Sequence, residues 1–124
     1  MVGITSIGVH IPVHRLSRDD MASAWGVRSL GGERSVAGHD EDSLTMAVNA
    51  AFDCISQRNE EVNGLFFATT TSPYKEKQAA ATIATALDLS EESYTADITG
   101  SRRSATTAIK LAVSMVESGS AKNV

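Results

Sequence analysis

The spacing of hydrophobic positions changes several times along the chain, and the changes mark its elements. Val2, Ile4, Ile7, Val9 and Ile11 follow a mostly alternating β-type pattern up to Pro12, which predicts a first strand over 2–10. Residues 13–38 hold no steady period. Ser17 followed by Arg18 to Trp25 fits a short capped helix with an acidic first turn, and Gly26, Gly31, Gly32 and Gly38 break the remainder into loops. Leu44, Ala47, Val48, Ala51, Phe52 and Ile55 recur at three- and four-residue spacing and predict a helix over 43–58. Asp40, Glu41 and Asp42 precede its positive end and Arg58 lies at its negative end.

The apolar run from Val62 to Thr71 predicts a buried strand over 64–70. Ser72-Pro73 then has the form of a helix start, ahead of an alanine-rich helix from Tyr74 to Leu87. A further strand fits Tyr94 to Thr99. The last helix is expected over 102–118, with Ala105, Ala108, Ile109, Ala112, Met115 and Val116 turned inward and Gly119 as its stop. Strands that alternate with helices predict an α/β fold with a mostly parallel sheet. Another strand is due where the chain reaches Ala121-Lys122-Asn123-Val124, so residues 1–124 are expected to form one incomplete domain.

Composition narrows the function classes. The chain has 124 residues, 42% hydrophobic and 21% charged, with a net charge of -4. The acidic excess argues against nonspecific nucleic-acid binding. No apolar run approaches the length of a membrane span, and the first residues lack a secretory pattern. Cys54 is the single cysteine, so an internal disulfide is impossible, and a reducing cytoplasm is the expected compartment.

Candidate chemistry concentrates at two junctions. Thr69-Thr70-Thr71 lies at a strand's carboxyl end, where ligands bind in α/β sheets, although threonine is also simply a good strand former. Thr99-Gly100-Ser101-Arg102-Arg103-Ser104 joins a strand to a helix start. Two arginines there oppose the helix dipole, and either an anionic ligand or exposure to water would offset the repulsion. Cys54 reads as a small buried hydrophobe more readily than as a nucleophile. His10, His14 and His39 lack metal-ligand spacing, and Asp40-Glu41-Asp42 reads as a solvated helix start, so no metal site is expected. Neither Gly-x-Gly-x-x-Gly nor Gly-Lys-Ser occurs.

Ala68-Thr69-Thr70-Thr71-Ser72-Pro73 ahead of an alanine-rich helix resembles the second strand and helix of ketoacyl synthase III, and Ala96-Asp97-Ile98-Thr99-Gly100-Ser101 with the closing Glu117 to Val124 resembles the strand–nucleophile–helix segment of the same superfamily. Gly3 to Pro12, Arg15-Leu16-Ser17-Arg18 and Asp40 to Val48 are similar to the hydroxymethylglutaryl-CoA synthase branch of the same thiolase-like superfamily. The resemblance covers essentially the whole chain. It implies the N-terminal half of a three-layer α-β-α fold, cut before completion, with the family's active-site histidine and its asparagine or second histidine in the other half. It also implies an acyltransferase of lipid metabolism that condenses acyl-CoA thioesters, with coenzyme A thioester as substrate and no resident cofactor.

Two positions depart from the family pattern. Arg102 stands where the resemblance places the nucleophilic cysteine, and Thr70 where hydroxymethylglutaryl-CoA synthases carry an acid/base glutamate. An arginine stays protonated and accepts no acyl group, so the chain alone is expected to be inactive in standard condensation. Ser101, Arg103 and Thr71 are the expected substrate-binding residues. Thr99 to Thr106 also resembles a cysteine-less variant, which implies aldol or retro-aldol chemistry on acyl-CoA and a small OB-fold, zinc-ribbon partner. Two non-catalytic readings compete: a scaffold that dimerises through the strand Tyr94 to Ile98, and a small-ligand module that uses the amides of Ser101 to Arg103.

Overall fold

The computed structural model describes residues 1–56 and 60–124. It contains two compact units, Ile11–Asp42 and a larger one made of Met1–His10 with Ser43–Val124.

In the smaller unit, β1 (His14–Ser17) pairs antiparallel with β2 (Glu33–Val36), and α1 (Arg18–Trp25) lies between them in sequence. The expected cap is present: the Ser17 hydroxyl accepts from the Asp19 and Asp20 amides at 3.1 and 3.4 Å. Gly26 closes the helix at φ 64°, a conformation that costs glycine little. The ribbon itself corrects the expectation of loops. Its strands are four residues each and mostly exposed, too short to show a period.

The larger unit begins without a strand, which corrects the expectation for residues 2–10. These residues carry no ladder. Ile4, Ile7 and Val9 are exposed, whereas Ser6 and Gly8 are turned inward. The segment is held on α2 (Ser43–Ile55) instead: the Ser6 hydroxyl donates to Cys54 O at 2.9 Å and Val9 N donates to Asp53 Oδ2 at 3.1 Å. Gly8 lies so close to Ala50 and Cys54 that a Cβ there would overlap their backbone.

Helix α2 presents Leu44, Ala47 and Val48 to the core, but Phe52 is 63% exposed, against expectation. The expected extension to 58, with Arg58, falls partly outside the described residues.

β3 (Gly64–Ala68) and β4 (Tyr94–Ile98) form the parallel pair the alternation predicts, with Gly64 opposite Tyr94 and Ala68 opposite Ile98. Between them α3 (Ala79–Ala86) starts several residues later than Ser72-Pro73 suggested. The Ser72 hydroxyl donates to Tyr74 O and caps no amide. α4 (Ser104–Glu117) packs against both strands.

Helices cover both faces of the β3–β4 pair, giving three layers. The core is small: Phe67 of β3 meets Ala79, Ala80 and Ile83 of α3, with Leu65 and the α2 side chains around them. The alanines let α3 approach the sheet closely. α4 buries Ala108 and half-buries Ala112, Met115 and Val116, but Ala105 and Ile109 are exposed, which corrects the expected inward face. It ends as predicted at Gly119, φ 76°, where Ser120 N returns to Met115 O and Gly119 N to Val116 O.

Candidate functional site

The parallel pair brings two chain segments to one end of the sheet. β3 leaves through Thr69, Thr70 and Thr71, and β4 leaves through Thr99 and Gly100 into α4. Thr69 N donates to Ile98 O at 3.2 Å, so the two exits are locked side by side.

The first exit is a tight polar turn. Thr71 N donates to Thr69 Oγ1 at 3.1 Å, and the Ser43 hydroxyl at the start of α2 donates to Thr71 O at 2.7 Å. These bonds leave Thr70 exposed at the tip. The second exit turns at Gly100, φ 81°, a left-handed conformation that a side chain would strain. Ser101 then organises the start of α4. Its hydroxyl accepts from Arg103 N at 3.1 Å, while its carbonyl accepts from Ser104 N at 3.1 Å and from the Ser104 hydroxyl at 2.7 Å. Ser104 is 3% exposed and acts as an internal latch. Arg102 and Arg103 remain exposed ahead of the helix, at its positive end.

An open, polar hollow of about 700 Å³ lies at this end of the sheet. Thr70, Thr99 and Gly100 line it with Lys75, Gln78 and Asp97. The structure therefore brings Thr70 to the second exit. Thr71, Ser101, Arg102 and Arg103 are not among the residues that line the hollow.

Cys54 is half-buried and lines a different, apolar cavity.

Sequence reasoning missed Asp97 and Gln78. The Asp97 carboxylate accepts from Ala79 N and Ala80 N at 2.7 Å each, which caps α3 from the neighbouring strand. Gln78 Nε2 donates to Thr95 O at 2.9 Å and Gln78 Oε1 accepts from the Thr95 hydroxyl at 3.0 Å. A lone carboxylate inside the apolar run Ala96-Asp97-Ile98 was the available signal, because a half-buried acid needs donors.

Among the described residues, no helix is long and apolar enough to cross a membrane. No family model matches the chain.

Curated relatives and solved structures do match. The chain is 30% identical over 125 residues to the hydroxymethylglutaryl-CoA synthase of Pyrococcus furiosus, covering 98% of this chain and 36% of that one. It is 32% identical over 132 residues to the synthase of Archaeoglobus fulgidus, covering 98% of this chain and 38% of that one. The chain thus spans little more than a third of the length of the curated relatives it matches. Among solved structures, MvaS in complex with 3-hydroxy-3-methylglutaryl coenzyme A superposes with a TM-score of 0.85 at 26% identity, over 96% of this chain and 31% of that one. Ketoacyl synthase III of Thermus thermophilus reaches 0.85 at 22% identity, over 97% of this chain and 40% of that one, which speaks for the fold. By sequence along nearly its whole length the chain is similar to hydroxymethylglutaryl-CoA synthases, and with its thiolase-like fold, shared with ketoacyl synthase III, it fits a fragment of that branch.

Proposed function

We propose that the chain forms part of an acyl-CoA-handling protein of the hydroxymethylglutaryl-CoA synthase type, in which Arg102 holds an anionic group of the substrate where other members carry their nucleophile. The observation that carries this reading is the Gly100–Ser101 turn. It places the exposed residues Arg102 and Arg103 ahead of α4, just after the β4 exit that Thr69 N ties to β3 through Ile98 O. A cation at the positive end of a helix is unfavourable in the empty protein and becomes favourable once an anion sits between them. Ser101, Arg103 and Thr71 are the neighbouring binding residues in this reading, and Thr70 stands at the acid/base position without a titratable group.

Arginine forms no acyl-enzyme, so the reading excludes Arg102 as an acyl acceptor. It leaves carbon–carbon chemistry of the aldol or retro-aldol kind as the reaction class of the whole protein. The solved relative that binds 3-hydroxy-3-methylglutaryl coenzyme A supports the substrate class, because that thioester carries a carboxylate suited to a guanidinium.

Calorimetric titration tests it with two thioesters, one with a terminal carboxylate (hydroxymethylglutaryl-CoA) and one without (acetoacetyl-CoA). Arg102→Ala is expected to weaken the first by about tenfold to a hundredfold, the worth of one charge-assisted hydrogen bond, and to leave the second unchanged. Equal affinity of wild type and variant for the first thioester overturns the role of Arg102.

A second reading, a dimer-forming scaffold, is favoured by one observation: β4 pairs with no strand but β3 among the described residues, which leaves its outer edge, apart from the Thr95 carbonyl held by Gln78, for a second copy.

A further inference from the structure

An asparagine side chain is most open to attack by the next main-chain nitrogen when glycine follows it. Glycine carries no side chain to block the approach and lets the backbone turn. Asn63-Gly64 is such a pair, whereas Asn49, Asn59 and Asn123 precede Ala50, Glu60 and Val124.

The fold holds this pair shut. Asn63 Oδ1 accepts from Lys122 N at 2.9 Å and from Asn123 N at 3.2 Å. Asn63 N donates to Asn123 O at 2.9 Å, and Asn63 O accepts from Tyr94 N at 2.9 Å. Asn123 Nδ2 donates to Glu61 O at 2.9 Å and ties the same two segments again. Gly64 is buried, and a Cβ on it would lie 3.4 Å from both Val124 methyl groups. The Gly64 nitrogen is not held by β4, because in this register the ladder uses Asn63 O and Leu65 N. Ring closure therefore meets one obstacle. The Asn63–Gly64 peptide unit must swing until that nitrogen faces Cγ, which takes the Asn63 carbonyl off Tyr94 N and the side-chain oxygen off Lys122 N and Asn123 N.

We propose that Asn63–Gly64 is a deamidation site gated by the clasp of Lys122 to Val124. When the clasp opens, hydroxide removes the Gly64 N–H proton and the nitrogen bonds to Asn63 Cγ. The Cγ–Nδ2 bond breaks, and Nδ2 takes up a proton from water and leaves as ammonia. Water then opens the cyclic imide. Cleavage between the nitrogen and Cγ gives aspartate; cleavage between the nitrogen and the main-chain carbonyl carbon gives isoaspartate. The net change is water consumed and ammonia released, with no oxidation or reduction. The two products differ in this fold. Aspartate keeps an acceptor for both amides and adds charge, which strengthens such bonds. Isoaspartate routes the main chain through Cβ and Cγ and lengthens it between the bonds to Asn123 O and Tyr94 N, which shifts their register.

Peptide mapping by mass spectrometry tests the proposal on the 124-residue chain, incubated at mildly alkaline pH with and without urea. Conversion at Asn63 is expected to run about tenfold or more faster in urea than in the folded chain, because the folded chain reacts only from its opened fraction. Gly64→Ala, whose Cβ fits at contact distance, is expected to slow the rate in urea by about tenfold or more. Asn123→Ala removes the bond to Glu61 O and is expected to speed the folded chain several-fold. Asp97→Ala loosens α3 away from the clasp and is expected to leave the folded rate unchanged. Asn63→Asp is expected to keep the thermal midpoint at or above that of the wild type. The proposal is overturned by an Asn63 that stays intact in urea, by equal rates in folded and unfolded wild type, or by a folded rate that Asn123→Ala leaves unchanged. An equal rise in Asn123→Ala and Asp97→Ala also overturns it, because global unfolding would then be the gate.

Discussion

Asp97 caps Ala79 across 18 positions of sequence, with a carboxylate oxygen 2.7 Å from the helix amide and its twin equally close to Ala80 N. The cap fixes α3 to β4 and so sets one wall of the polar hollow. Removing it leaves two amides at a buried helix start without an acceptor. Asp97→Ala is expected to cost about 1–2 kcal/mol, at the upper end of cap substitutions, and Asp97→Asn roughly half of that, because the amide keeps one acceptor oxygen. Urea unfolding followed by circular dichroism checks the order wild type, Asn, Ala. Equal midpoints for wild type and Asp97→Ala would show that the cap contributes nothing.

This cap also explains a limit of the sequence reading. Ser72-Pro73 has local helix-start chemistry, yet the helix begins at Ala79, because the effective cap comes from a distant strand. Local pattern was enough for β3, β4 and α1 and for the stop of α4 at Gly119, but not for the inward face of α4, where Ala105 and Ile109 are exposed. Ser17 and Gly119 are cases where the boundary chemistry is wholly local. Alternation over residues 2–10 predicts a strand that the structure does not form. Ile4, Ile7 and Val9 look outward, and the inward positions belong to Ser6 and Gly8, which pack on a helix. At the site, the junction from Thr99 to Ser104 was legible from its glycine and charges. Asp97 was not, because its role depends on amides that fold back onto it.

Gly8 offers the sharpest packing test. A Cβ there would overlap Ala50 O and Cys54 N, both main-chain atoms of α2 that cannot move aside cheaply, and would sit 2.8 Å from Cys54 Cα. Gly8→Ala is therefore expected to release the N-terminal segment, at a cost of about 1–3 kcal/mol for the forced overlap. Cys54, half-buried beneath that segment, then becomes a reporter. Its reaction with an aromatic disulfide reagent should speed up several-fold in Gly8→Ala. Gly3→Ala, where nothing lies within 4 Å, should leave the rate unchanged.

The open edge of β4 gives the scaffold reading a precise probe. Tyr94 N already donates to Asn63 O, so proline at Tyr94 would break the β3–β4 ladder and says nothing about a dimer. The outward-facing amide of this strand belongs to Thr95. If a second copy pairs here, light scattering should give a dimer for the wild-type chain and a monomer for Thr95→Pro, with the helical spectrum retained in both. A wild-type monomer at high micromolar concentration removes the scaffold reading.

Gly100 and Arg102 together separate conformational cost from binding. Gly100 sits at φ 81°, and a Cβ at this position would meet nothing within 4 Å, so Gly100→Ala should cost only backbone strain, about 1–2 kcal/mol. Arg102 acts in the opposite sense. It is exposed ahead of α4, where a positive charge opposes the dipole, so Arg102→Ala should stabilise the empty chain by about 0.3–1 kcal/mol at low salt. With saturating hydroxymethylglutaryl-CoA the order should reverse: the wild type gains thermal stability from the bound anion and the variant gains much less. Thermal scans at low salt, with and without the thioester, read both effects in one experiment. An Arg102→Ala variant that is less stable when empty, or that gains as much from the thioester as the wild type, would contradict a residue held at a cost to the fold in order to meet an anion.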